Sequence, residues 1–298
     1  MGQTREGVDL DELTLQFDAF CNEQLPSNTT LWLRQCESKN QEFMESNYGR
    51  FCRQFEAGYD VLVSAIGYAN SWADHTKWPR NRIVQHIMEA ENIKPIYSAF
   101  DRLIKGYYVD CLVLARVAYE AFLRIIFVSL YPDDTYYSYA RGKKVPRQFK
   151  LTNFIKEDLK LGWNEYEILS AMAHSYKFSV LKQIVEIGKN GQTEPLSLGF
   201  EQDELLIEIC NNILDFLLLI YLEFTMAFLL VPLKECNVDY CQIDKINLYI
   251  MLKQKNFISH PNQYWQKVIG DLDYVFDLVR AAESGKDWKQ VRESLKSR

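Results

Sequence analysis

The chain has 298 residues, with 34 Lys and Arg against 40 Asp and Glu, giving a net charge of −6; apolar residues make up 48% and charged residues 25%. These are globular proportions, which exclude a disordered chain, a collagen-like fibre and a disulfide-stapled miniprotein. The mild acidity argues against a protein coated in nucleic acid, although a local basic patch is compatible with it.

Thirteen glycines and eight prolines fall well below the average share of roughly 12%. Such scarcity of turn formers favours long helices. In chain order, residues 9–25 read as a short amphipathic helix carrying Leu10, Leu13, Phe17, Phe20 and Cys21 at helical spacing. Pro26 breaks it, and a second helix is expected over about 31–69 with an interruption near Asn47–Gly49. Residues 71–82 hold turn formers and Pro79. From Ile83 the helical pattern resumes, with Pro95 expected to kink it or to start a new helix. Gly106 interrupts, and residues 107–131 form a strongly apolar helix ended by Pro132.

A loop is expected over 133–150, then a short helix over 152–160, a helix over 164–187 and a loop over 188–199. Residues 203–231 form the longest apolar helix, and two amphipathic helices follow, split at Ser259-His260-Pro261. The charged tail from Ala281 is expected to fray. With no strand-like alternation and no repeat, the expected fold is an all-α multi-helix bundle. Its expected divisions are an N-terminal helical subdomain (1–82), a central bundle (83–232) and C-terminal helices (233–298).

Met1–Leu13 is polar and lacks the apolar core of a signal peptide. Seven cysteines, an odd number, then suggest reduced thiols and a cytoplasmic setting. Residues 213–233 are long enough to span a bilayer, but they carry Asp215 and Glu223, each costing about 2.5–3.5 kcal/mol at its centre. A buried core helix is the expected form, a membrane span the competing one.

In the helix over 107–131 the charged residues are Asp110, Arg116, Glu120 and Arg124. At 100° per residue, all four share about one third of the helix surface. They read either as a solvated i, i+4 ladder or as a site, with Arg116 clamping a phosphate and Glu120 orienting it. His174 reads as a core imidazole or as a general acid/base. Residues 135–150 carry Arg141, Lys143, Lys144, Arg147 and Lys150 and no acid, interleaved with tyrosines. That block is either a solvated loop or a single-stranded nucleic acid contact, with cations for phosphates and rings for bases.

Phosphate-binding glycine loops, the G-x-S-x-G nucleophile motif and H-E-x-x-H are absent from the sequence. Cys236 and Cys241 have no matching second pair, so no metal or other cofactor is expected.

The run from Leu103-x-x-Gly106-Tyr107-Tyr108 through Arg116-x-x-x-Glu120 to Pro132-Asp133, followed by Ser170-x-x-x-His174, resembles bacterial helical proteins related to HEPN domains. The resemblance covers roughly residues 83–231. It implies a four- or five-helix core, often dimeric, that binds RNA or cleaves it without metal in defence or toxin–antitoxin systems. The family's nuclease signature is Arg, four to six residues, then His; here the eligible positions are Glu167, Ile168 and Leu169. On this reading Arg116, Glu120 and His174 are the catalytic candidates, and Arg124, Lys143, Lys144, Arg147 and Lys177 the RNA-binding ones. The expected partners are single-stranded RNA and a second copy or another helical protein. The alternative expectation is a non-catalytic helical scaffold or regulatory partner forming a dimer.

Overall fold

In a computed structural model of the chain, the described residues are 29–131, 153–159, 204–230, 240–260 and 263–296, with the isolated position 15. The helices expected over 9–25 and 164–187 and the loops expected over 133–150 and 188–199 lie outside them, apart from position 15. Every described element is helical and none is a strand, so the all-α expectation holds among the described residues.

Helix α1 spans Thr29–Trp72 and is bent at Tyr48, whose φ of −123° and ψ of 17° leave the helical region. The bend falls where Asn47 and Gly49 predict it. Asn47 Nδ2 donates to the Phe43 carbonyl (2.9 Å), a local bond that competes with the backbone ladder. A 3₁₀ turn, His75–Lys77, is capped by Asp74, which accepts from the Thr76 N–H (3.2 Å). Pro79 then introduces α2, Arg80–Ile104.

Pro95 neither ends α2 nor divides it. Its missing N–H releases the Glu91 carbonyl, and Glu91 lies on the exposed side of the helix, where water can take the bond. The stop comes at Gly106. Tyr107 N–H bonds to the Arg102 carbonyl (2.8 Å) and Gly106 N–H to the Leu103 carbonyl (3.0 Å), a Schellman closure with Gly106 at φ +88°. A Cβ there would also lie 2.9 Å from the Asn40 side chain. Asn40 ties the corner to α1, donating to the Ile104 carbonyl (3.2 Å) and accepting from Tyr108 Oη (3.3 Å).

Helix α3, Tyr108–Leu130, returns along α2, and these two share the most extensive packing among the described elements. A six-residue π-type turn, Phe154–Leu159, stands where a short helix was expected. Helix α4, Glu204–Phe224, continues as wider π-type turns through Thr225–Leu230. Helices α5 (Tyr240–Ile258) and α6 (Gln263–Glu283) are separated at Ser259 and His260 as expected.

The tail does not fray beyond Ala281. A second glycine turn at Gly285 (φ +76°) leads into α7, Trp288–Lys296. Trp288 is buried and meets Tyr131 edge-on, its ring centroid 5.5 Å away. Burying an indole outweighs the local charge that suggested fraying.

One apolar cluster joins the helices. Phe55 of α1 stacks on Phe100 of α2 at 4.2 Å. Phe122 of α3 meets Tyr221 and Phe224 of α4 and Phe276 of α6. The stretch Glu204–Leu230 is long and apolar enough to cross a membrane, yet 89% of its most apolar window is buried inside the bundle. Asp215 and Glu223 within it are received by α5. Lys253 Nζ donates to Asp215 Oδ1 (2.6 Å) and Gln254 Nε2 to Glu223 Oε1 (2.6 Å). Helix α5 sits close to α1, where a Cβ on Gly58 would fall 1.9 Å from Tyr249 Oη.

Candidate functional site

The charged residues of α3 form the ladder that their spacing predicts. Arg116 Nε donates to Glu120 Oε1 (2.8 Å), and Arg124 Nη2 donates to Glu120 Oε2 (3.4 Å). One carboxylate thus holds two guanidiniums one turn away on either side. The Arg116 and Glu120 side chains are each 19% exposed and Arg124 is 42% exposed. Each link is an i, i+4 pair in partial contact with water, worth a few tenths of a kcal/mol.

The rest of that sector is not what charge alone suggests. Val109, Val113 and Val117 are exposed, and their helical angles, about 20°, 60° and 100° from Arg116, fall inside the same third of the surface. The open face of α3 therefore mixes valine methyls with the ladder. Asp110 is exposed at the first turn, where a carboxylate complements the helix dipole.

His174, Lys143, Lys144, Arg147 and Lys177 lie outside the described residues. The structure brings together Arg116, Glu120 and Arg124.

A second polar constellation, which charge counting misses, lies on α2. Arg82, Gln85, His86 and Glu89 fall on one arc of about 100°, and Gln85 and Glu89 are fully buried. Gln85 Nε2 donates to Ser129 Oγ of α3 (2.6 Å), which itself donates to the Ile125 carbonyl (2.9 Å). Thr225 Oγ1 is hydrogen bonded to Glu89 Oε1 and lies 2.8 Å from the Tyr221 carbonyl. A hydroxyl has one proton for these two acceptors. The neutral acid form of Glu89 supplies the second, donating to Thr225 while Thr225 donates to Tyr221.

Electrostatics agrees with this proton count. Burial raises the Glu89 carboxyl to about 8, the Thr225 hydrogen bond offsetting only part of the shift. Thr225 opens the π-type segment of α4, so the widened turn stands directly against the buried acid. Toward the start of α2, burial and the neighbouring His75 both lower the His86 imidazole. The His75 and His86 rings stack at 6.0 Å beside Trp78. Arg82 Nη2 meets Glu283 Oε2 of α6 at 3.3 Å.

Four atoms of this α2 arc, Arg82 Nε, Gln85 Oε1, His86 Nδ1 and Glu89 Oε2, are buried without a hydrogen-bond partner among the described residues, as is His75 Nε2. A neutral carboxylic acid can act as a proton donor. Glu89, however, has no surface open to solvent, so its proton serves the α2–α4 contact. No group of three or more His, Cys, Asp or Glu among the described residues could hold a metal ion.

The sequence does carry a signal for this seam. Gln85 and Glu89 stand on the same arc of α2 as Ile96, Phe100 and Leu103 further along, and the buried state of those three fixes the depth of the first two. No family model, curated protein or solved structure matches the chain.

Proposed function

We propose that this chain is a HEPN-like helical protein that binds single-stranded RNA, with Arg116, Glu120 and Arg124 forming one edge of the binding surface. The observation that supports this reading is the pair of guanidiniums gathered on one carboxylate in the partly exposed Arg116–Glu120–Arg124 ladder of α3. Glu120 fixes the arginine forks, whose planar donors suit phosphate oxygens. Arg141, Lys143, Lys144, Arg147 and Lys177 are the cations that would extend the contact along the strand, with tyrosines 136, 137 and 139 as stacking platforms. A defence or toxin setting follows from the same family resemblance.

In the catalytic form of the proposal, a ribose 2′-hydroxyl attacks the adjacent phosphorus and the P–O bond to the next nucleotide's 5′-oxygen breaks, leaving a 2′,3′-cyclic phosphate and a 5′-hydroxyl that receives the proton lost by the 2′-hydroxyl. His174 moves the proton, Arg116 stabilises the charge gathering on the phosphorane oxygens, and Glu120 orients Arg116. Labelled single-stranded RNA incubated with purified protein at low salt is expected to shift on a native gel. His174→Ala removes any cleavage and leaves binding in place. Absence of both binding and cleavage at low salt would reject the reading.

A second reading, a non-catalytic helical scaffold acting through a protein partner, is favoured by the outward apolar side chains of α5, among them Leu248 and Met251. It predicts that Arg116→Ala combined with His174→Ala leaves partner capture unchanged.

A further inference from the structure

Helix α5 has two apolar faces, and only one is used inside the bundle. Ile246, Ile250 and Phe257 point inward and are buried, together with Lys253. On the opposite side Leu248 is 69% exposed, Met251 64% and Ile258 57%. Asp244, Leu248, Met251, Lys255 and Ile258 succeed one another by alternating steps of four and three residues. They fall within about 80° of helix surface, the spacing of a coiled-coil seam.

The two charges on this seam have no ion-pair partner among the described residues, and both are exposed. They stand eleven residues apart, about 16 Å along the axis, and so cannot pair with each other within one helix. An antiparallel second copy of α5 resolves both problems in one register. Opposite Leu248 it places Met251 of the second copy, and opposite Asp244 it places Lys255 of the second copy. Twofold symmetry repeats each contact. We infer that the outward face of α5 is a self-complementary interface through which two copies of this chain pair antiparallel, with Leu248 and Met251 at its centre and Asp244–Lys255 pairs at its ends. A parallel pairing would stack Asp244 on Asp244 and Lys255 on Lys255, so the charge order selects the antiparallel form.

Sedimentation equilibrium of the full chain tests this directly. The wild type is expected to be a dimer that dissociates on dilution. Asp244→Lys and Lys255→Asp should each weaken the dimer about tenfold by placing like charges opposite one another, with unchanged far-UV circular dichroism. The double exchange should restore wild-type affinity. Met251→Glu should give a monomer with the wild-type spectrum. A wild type that stays monomeric at every concentration, or a double exchange that fails to recover the loss, would overturn the inference. None of these variants alters Arg116 or Arg124, so the result stands apart from RNA binding.

Discussion

Glu89 and Glu120 lie on the two helices that pack most closely together, yet they are opposite solutions for a carboxyl group. Glu120 faces partly into water with a guanidinium on each oxygen. Glu89 is sealed among α2, α3 and α4 with a threonine hydroxyl in place of a cation. The first is ion-paired at the surface. The second is stable only when it carries its proton. A carboxylate in oil costs far more than a neutral acid. Exposure and partner, rather than residue type, decide which of the two faces water.

Lys253 and Asp215 show what happens when an interior carboxylate does receive a cation. The Lys253 side chain is fully buried, while burial outweighs the pull of its ammonium and raises the Asp215 carboxyl above its ordinary value. Replacing Lys253 by Met should be the largest effect here. Loss of the cation leaves Asp215 unpaired and should cost about 3 kcal/mol of unfolding free energy at pH 8. Denaturant titration measures it, and adding Asp215→Leu should recover much of the loss.

Glu89→Gln ranks second and has a pH signature. Because the folded-state pKa of Glu89 is raised to about 8, the wild-type fold should lose stability as pH rises from the ordinary glutamate range to about 8, with no further loss from this group above that. The glutamine variant removes that slope. It should be stabilised by a few kcal/mol at pH 9 and by little at pH 4. Glu223 gives a parallel test. Burial foremost, with Asp273 adding to it, raises its carboxyl to about 7 despite the Gln254 hydrogen bond, so its slope should end near neutrality.

Glu120→Gln should be the smallest change in stability, under about 1 kcal/mol. Thermal melts at low and high salt should then differ less than they do for the wild type, because the ladder is screened. A large loss would mean that the ladder is part of the core, and the contrast with Glu89 would collapse.

The bend at Tyr48, the stop at Gly106 and the break before Pro261 were all legible, since asparagine, glycine and proline act through local backbone chemistry. The α3 ladder was legible as well, because i, i+4 spacing fixes which charges meet. The depth of Gln85 and Glu89 was harder to see, because it depends on what covers that arc of α2. Pro95, read as a kink or as the start of a new helix, starts none: whether a proline ends a helix depends on whether the released carbonyl can find water. The last helix was hidden because one indole, Trp288, finds a buried seat that the charge around it gives no hint of. His174 and the basic block over 135–150 were visible as residue types, and their role depends on where they stand relative to Arg116.

Fluorescence anisotropy of a labelled single-stranded RNA across a salt series tests the proposed function most directly, comparing the wild type with Arg116→Ala/Arg124→Ala. The account predicts wild-type binding that weakens as salt rises. The double variant should bind more weakly, with its log–log salt slope shallower by about 0.7 for each phosphate that no longer meets a cation. Identical affinity and slope for the two proteins, or no wild-type binding at the lowest salt, would contradict it.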